Sequence, residues 1–137
     1  MSTATSFILG SNALRQHLQP PDTATVLPSV WCDSLPVLSV HLANAHVTPL
    51  CVTLIDNQIP YNRLANDVIE VLYFLRSQAE SRYVPCILIT TEQHRLQDGF
   101  RAGANSALVI DPHDYELGTL LLQIDHFWRN LVRTPSR

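Results

Sequence analysis

Asp56 is the residue of this chain whose type and position most directly suggest chemistry. It ends the apolar, β-branched run at residues 50–55, and Pro60 follows four positions later. A buried parallel strand that ends in one carboxylate places that charge at the carboxyl edge of the sheet, where open α/β folds bind their ligands. We therefore expect Asp56 to lie in a crevice beyond the sheet.

Strand-like apolar runs alternate with segments of helical periodicity in five cycles, which is the pattern of βαβ units around a parallel sheet. The predicted strands are residues 6–10, 23–27, 50–55, 85–90 and 107–110. The predicted helices are residues 11–19, 35–45, 62–77, 93–102 and 115–133, and Gly103 closes the fourth of them at a positive φ. The second strand and helix have the weakest patterns, because Pro28 and Pro36 interrupt that part of the chain.

The third and fifth helices carry apolar side chains at every third or fourth position, which predicts one buried stripe on each helix. The stripes consist of Leu64, Val68, Val71, Leu72 and Leu75 in the third helix, and of Leu117, Leu120, Leu121, Ile124, Trp128 and Leu131 in the fifth.

The composition is typical of a folded domain. With 137 residues, 46% hydrophobic and 15% charged, the chain is predicted to form one domain over residues 1–137 with its core at about 6–133. A net charge of −3 supplies no basic surface for nucleic acid, so we expect protein partners. No apolar run is long enough for a membrane span, and no signal-peptide pattern occurs. Three cysteines without C-x-x-C spacing indicate reduced core residues and a cytoplasmic location.

Three further segments follow Asp56 in a characteristic order. Residues 85–91 begin with Pro and end with Thr-Thr, residues 103–109 join Gly-Ala to an apolar strand, and residues 111–117 contain Asp-Pro and then Glu-Leu. Together they resemble the receiver domain of two-component response regulators over nearly the whole chain. The resemblance implies a flavodoxin-like, doubly wound α/β fold: five parallel strands in the order 2-1-3-4-5 with helices on both faces.

The resemblance also assigns roles to residues. Asp56 takes the position of the phosphoacceptor, and Thr90 takes that of the Thr or Ser that reaches for the phosphoryl group. An aromatic residue in strand five moves with that Thr in the family. Here the corresponding candidates are Ala107 and Leu108, which carry no ring.

The residues that support phosphorylation in the family differ in this chain. Where receivers hold a divalent cation with an acidic pair after strand one, the chain has Gly10, Ser11 and Asn12. Asp111 stands at the position of the family's Lys, or Ile110 does if Gly-Ala is aligned instead. Neutral side chains cannot replace two anionic Mg²⁺ ligands, and a second carboxylate near the acceptor would oppose phosphorylation.

Structural roles compete with these functional ones. The Asp56 carboxylate is a candidate to accept hydrogen bonds from local amides around Asn57, and Thr90 to satisfy a neighbouring backbone group. Asp111 or Asp114 is a candidate cap before the last helix. The six histidines show no metal-ligand spacing, and no glycine-rich phosphate loop occurs, so we expect no metal and no cofactor.

We therefore hypothesise a degenerate, receiver-like signalling domain that is not an enzyme and acts by protein–protein contact. The resemblance places partner contacts at residues 93–101 and 115–133, with Tyr115, Leu122 and Phe127 as candidates, and implies frequent homodimers. Phe127 as rim packing is the alternative interpretation of that residue. Two alternatives for the function are a working phosphoacceptor at Asp56, with Mg²⁺ held by unusual ligands, and a flavodoxin-like domain that binds a small ligand.

Overall fold

The chain folds into a parallel sheet flanked by helices. The computed structural model describes residues 4–18, 29–113 and 116–131. The strands are β1 (Thr5–Leu9), β2 (Ser29–Cys32), β3 (Pro49–Ile55), β4 (Cys86–Thr90) and β5 (Ser106–Val109). The helices are α1 (Asn12–Leu18), α2 (Leu35–Leu42), α3 (Val68–Ser77), α4 (Gln93–Ala102) and α5 (Leu117–Leu131).

The strand order is β2-β1-β3-β4-β5 and every pairing is parallel, as predicted. The order reverses between β1 and β3, so the loops after these two strands flank the crevice at the carboxyl edge. Alternate residues of the strands belong to two buried clusters, one on each side of the sheet. The first packs under α2, α3 and α4, and the second packs under α1 and α5.

The predicted second strand at residues 23–27 lies outside the described residues, and β2 is found later in the chain. Its residues 30–32 pair in register with residues 7–9 of β1. The sequence pattern does not mark β2 itself, because Pro28 suggests a break there, whereas Pro is compatible with the position before a strand. The second helix begins at Leu35 as predicted but ends at Leu42, and the Ser34 hydroxyl accepts a hydrogen bond from the Val37 N–H at its start.

The prediction that α3 begins at Asn62 is wrong. The helix starts at Val68, because the Asp67 carboxylate accepts the Ile69 N–H at 3.1 Å and caps it there. Asn62 lies in the preceding loop, where its amide bonds to other loops of the molecule. Leu64 is a half-buried loop residue that nevertheless packs against the first cluster.

The remaining boundaries agree closely with the sequence pattern. Helix α4 has the predicted bounds, and Gly103 ends it at φ 112°. Strand β5 begins and ends one residue earlier than predicted, and α5 runs from Leu117 to Leu131, with Tyr115 and Arg133 outside the described residues. Within the described ranges, no helix combines the length and apolar content needed to cross a bilayer.

The three cysteines are unpaired and buried, as predicted. Removal from water raises the pKa of Cys32, Cys51 and Cys86 to about 11 in each case, with Asp33 adding to the effect at Cys32. Thiols held protonated in this way behave as small apolar core groups rather than as nucleophiles.

Helix α5 is attached to the amino-terminal side of the sheet by a buried ion pair. Asp125, which is 5% exposed, accepts hydrogen bonds from Arg129 at 2.9 Å and from the Ser6 hydroxyl of β1. Arg129 also donates to the Ala4 carbonyl at 2.7 Å. These contacts lie away from Asp56 and fix the position of the helix.

Candidate functional site

Asp56 is completely buried and is paired with a cation. It follows β3 directly, and its side chain is 0% exposed. Arg95, the third residue of α4, donates from Nη2 to Asp56 Oδ1 at 2.9 Å and from Nε to Oδ2 at 3.0 Å. This two-point geometry matches the planar guanidinium to the carboxylate and gives a strong charge-assisted contact. The expectation that Asp56 would bond to local amides is therefore wrong.

A second carboxylate contacts the same guanidinium. Asp67, the capping residue of α3, accepts from Arg95 Nη2 at 2.5 Å and from Nη1 at 3.4 Å. The hydrogen bond from Arg95 lowers the pKa of Asp67 below its ordinary value, although burial opposes the effect. The hydrogen bonds to Asp56 and Asp67 raise the pKa of Arg95, so the cation stays protonated at every pH of interest.

Thr90 completes the contacts of the Asp56 carboxylate. Its hydroxyl donates to Asp56 Oδ2 at 2.6 Å and accepts the Glu92 N–H at 3.1 Å. The second bond is the backbone role expected for a strand-end Thr, and the first joins the end of β4 to the end of β3. Both carboxylate oxygens of Asp56 thus accept hydrogen bonds from side chains.

Hydrogen bonds join the loops that flank the crevice. Ser11 donates its N–H to Asn62 Oδ1 at 2.8 Å and its hydroxyl to the Tyr61 carbonyl at 2.8 Å. Asn62 Nδ2 donates to the carbonyls of Ile55 and Asp56 at 2.6 and 3.0 Å. The loop after β1 is thereby tied to the loop after β3 through one buried amide.

Gly10 and Asn12, which with Ser11 occupy the positions assigned to the acidic pair, also have structural contacts. A Cβ on Gly10 would come within 2.6 Å of the Trp31 ring, whose Nε1 donates to the Gly10 carbonyl at 2.6 Å. A carboxylate-bearing residue at Gly10 would therefore displace the indole. Asn12 is turned towards Asp33 and donates to its carboxylate at 3.0 Å.

Asp111 is an exposed residue of the loop after β5. Its carboxylate accepts the His113 N–H at 2.9 Å, which closes a local turn, and Ile110 is buried in the second cluster. Asp114, the other candidate cap, lies outside the described residues. Neither Asp111 nor Ile110 brings a cation to the site, and Arg95 of α4 supplies one from a direction that the family pattern does not indicate.

The predicted contact residues lie on the last helix or beside it. Phe127 is 49% exposed, with its ring edge-on to Trp128 at a centroid distance of 5.6 Å. Leu122 is half-buried, and Tyr115 lies outside the described residues.

Sequence reasoning missed three residues of the site: Arg95, Asp67 and Asn62. One signal for Arg95 was available, because a cation in the first turn of a helix opposes the helix dipole and so implies a carboxylate partner. Asp67 precedes the apolar positions of α3 and carries an ordinary capping signal. Asn62 has no local signal, since its partners lie in another loop and at the end of β3.

Comparison with known proteins identifies the architecture. No protein-family model matches the sequence, and no curated protein matches it. Solved structures do match. The phosphorylated cyanobacterial phytochrome response regulator RcpA is 18% identical with a TM-score of 0.74, and the alignment covers 98% of this chain and 100% of that one. The fold is that of a receiver domain.

Other receiver structures agree with this assignment. A response regulator in red light signalling of R. palustris is 17% identical with a TM-score of 0.68, covering 98% of this chain and 99% of that one. The receiver domain of a Pseudomonas aeruginosa sensor histidine kinase, which has a magnesium ion coordinated in its active-site cleft, is 15% identical with a TM-score of 0.58 and coverage of 93% and 98%. At these identities the likeness establishes the receiver fold.

The contact between Arg95 and Asp56 predicts that removing Arg95 alone costs more stability than changing both partners together. Arg95→Met leaves a buried carboxylate without its cation and is expected to lower the free energy of unfolding by about 3–5 kcal/mol, whereas the double variant with Asp56→Asn recovers much of that loss. Urea denaturation measures both values. Arg101→Met, on the exposed face of α4, is the matched control and should change stability by less than about 0.5 kcal/mol. Equal effects of the two arginine variants would contradict the assigned contact.

The lowered pKa of Asp67 predicts a pH dependence of stability. Because its folded-state pKa lies below the unfolded value of about 3.9, this carboxylate stabilises the protein above that pH, and the contribution disappears as the pH falls through the folded-state pKa. In Asp67→Asn the helix cap is retained but the ion pair is lost. Its unfolding free energy should therefore decline less steeply below about pH 5 than that of the wild type. A decline parallel to that of the wild type would refute the prediction, and Asp98→Asn serves as the comparison.

Proposed function

We propose that this chain is a signalling domain of receiver fold that acts through protein contacts and without Mg²⁺-dependent phosphorylation at Asp56. The observation that carries the proposal is the two-point pairing of Arg95 with a fully buried Asp56. In this proposal the chain catalyses no reaction and needs no cofactor.

Access to the carboxylate supports the proposal. A phosphoryl donor has to bring its phosphorus within bonding distance of one Asp56 oxygen, in line with the leaving group. Arg95 and Thr90 already bond to these oxygens, and burial excludes solvent from them. Phosphorylation would require the first turn of α4 to move and a buried charge pair to be broken.

The residues at the expected Mg²⁺ site also support the proposal. Mg²⁺ needs several oxygen ligands, of which carboxylates are the strongest. The positions where the family resemblance expects an acidic pair hold Gly10, Ser11 and Asn12. The Trp31 indole packs against Gly10. Ser11 bonds to Asn62, and Asn12 bonds to Asp33. Arg95 neutralises Asp56 instead, and it is a cation that cannot dissociate from the protein.

The proposed partner surface consists of α4, β5 and α5. Among the described side chains, each of these neighbouring elements exposes a large apolar one: Phe100 is 50% exposed, Val109 39% and Phe127 49%. Helix α4 also carries Arg95, so the ion pair that neutralises Asp56 fixes the position of one side of this surface. A second copy of the chain, a separate signalling protein or a fused output domain would bind there.

The phosphorylation test uses beryllofluoride and acetyl phosphate. With Mg²⁺ present, we expect no bound beryllofluoride signal by ¹⁹F NMR and no mass increase with acetyl phosphate, while a conventional receiver treated in parallel gives both. Arg95→Gln removes the guanidinium from the Asp56 oxygens, so this variant tests whether Arg95 is what blocks the adduct. Asp56→Asn is its negative control. A stoichiometric adduct on wild-type Asp56 would show the proposal to be wrong.

The alternative of a working phosphoacceptor has one favourable observation. Arg95 and Thr90 both direct donors at Asp56, and the same donors would stabilise the oxygens of a phosphoryl group if α4 shifted outward. The adduct test above distinguishes this alternative, because it requires modification of the wild-type protein.

The partner surface is tested through self-association. We expect light scattering to detect a concentration-dependent dimer, and Phe100→Ser or Phe127→Ser to raise its dissociation constant by about tenfold or more, as loss of a buried aromatic anchor does. Tyr83→Ser is the control, since Tyr83 is 87% exposed and outside the three elements. A protein that stays monomeric at millimolar concentration would exclude the homodimer.

A further inference from the structure

A cavity of about 550 Å³ opens at the carboxyl edge of the sheet, on the side opposite the Asp56–Arg95 pair. Its floor is apolar and comes from the cluster under α1 and α5, with Leu14, Ile59 and Leu117 as examples. The Asp56 carboxylate instead bonds to Thr90 of β4 and to Arg95 of α4, a helix that packs on the other face of the sheet. The volume falls within the range of about 300–1,000 Å³ that small-molecule sites occupy, and the position beside the strand-order reversal is where open α/β folds bind ligands.

One wall of the cavity is a flat pair of rings. His17 and Tyr61 both line it, and their rings stack with a centroid distance of 3.9 Å and an angle of 21°. Tyr61 has φ 72°, the one non-glycine residue with a positive φ in the described part of the chain, and its side chain is 56% exposed. Residues held in sparsely populated backbone conformations cluster at active sites and ligand clamps. The Ser11 hydroxyl holds this conformation through the Tyr61 carbonyl.

The polar groups of the cavity define the charge of an occupant. The sequence contains no Lys, and no Arg is found among the described lining residues, so an anionic ligand would meet no permanent cation on those residues. Glu116 is an exposed lining residue, and one of its carboxylate oxygens accepts the Thr119 hydroxyl at 3.0 Å. A side chain at Gly118, the second residue of α5, would meet no atom within 4 Å, so the space beside the first turn of α5 is open. The lining therefore favours a flat apolar molecule that carries an N–H donor.

We propose that this cavity binds a small planar aromatic amine or nitrogen heterocycle, neutral or cationic. The ring lies against Tyr61 and His17 above the aliphatic floor, and the nitrogen donates to the Glu116 carboxylate. Tyr61, His17 and Glu116 make no contact with the Asp56 carboxylate, so the test of this proposal is separate from the adduct test of Asp56.

The experiment compares two probes that share an indole ring and differ in charge. Tryptamine presents an ammonium group, and indole-3-acetate presents a carboxylate. In ¹⁵N-HSQC titrations of the wild-type protein, we expect tryptamine to give saturable shifts at residues of α1, the 59–61 loop and the start of α5. Indole-3-acetate should bind about tenfold more weakly or worse, since it meets Glu116 with like charge.

Two variants assign the contacts. Glu116→Gln should weaken tryptamine about tenfold and narrow the difference between the probes, and Tyr61→Gly, which accepts a positive φ, should weaken both probes. Glu70→Gln and Tyr83→Ala are matched controls at exposed positions away from the cavity. Absence of saturable tryptamine binding, or equal binding of the two probes to the wild type, would overturn the proposal. The comparison of probes on the wild type does not depend on the folding of any variant.

Discussion

A single guanidinium links the ends of β3 and β4 at the carboxyl edge of this sheet to the helices that follow them. A fully buried carboxylate is tolerated only when a cation and hydrogen bonds compensate it, and Arg95 supplies the cation for Asp56. The same side chain bonds to Asp67, which starts α3, and Thr90 bonds the Asp56 carboxylate to the end of β4. The starts of α3 and α4 and the ends of β3 and β4 are therefore positioned by one connected set of charges.

The source of the cation determines how such a site can be controlled. A metal ion exchanges with solvent, so its occupancy follows its concentration. A guanidinium is covalently attached and remains charged at any pH at which the protein is folded. The two loops that flank the crevice are joined here by hydrogen bonds of Ser11 and Asn62, and the cation approaches from α4 instead. If the proposed function is correct, control of the domain would come through forces on α4 or on these loops.

The sequence predicted what depends on local patterns. The five strand and helix cycles and the bounds of α4 follow from periodicity and from Gly103, which act within a few residues. The start of α3 was misplaced because apolar spacing continues through Leu64, although Asn62 is engaged by other loops. Arg95 was missed because its partner Asp56 is 39 residues away and the family pattern looks for a cation after β5. Long-range polar contacts produce no periodic pattern in the sequence.

Coupling between the cavity and Asp56 would pass through a short stretch of backbone. Tyr61 lines the cavity, and its neighbour Asn62 bonds to the Asp56 carbonyl and to Ser11. A ligand changes the other site only by the difference in its affinity for two states of this loop. The largest local source of free energy for such a difference is the backbone strain at Tyr61, whose positive φ costs about 1–3 kcal/mol. Coupling by this route is then bounded at about 5- to 150-fold, enough to bias α4 but too small to break the buried ion pair.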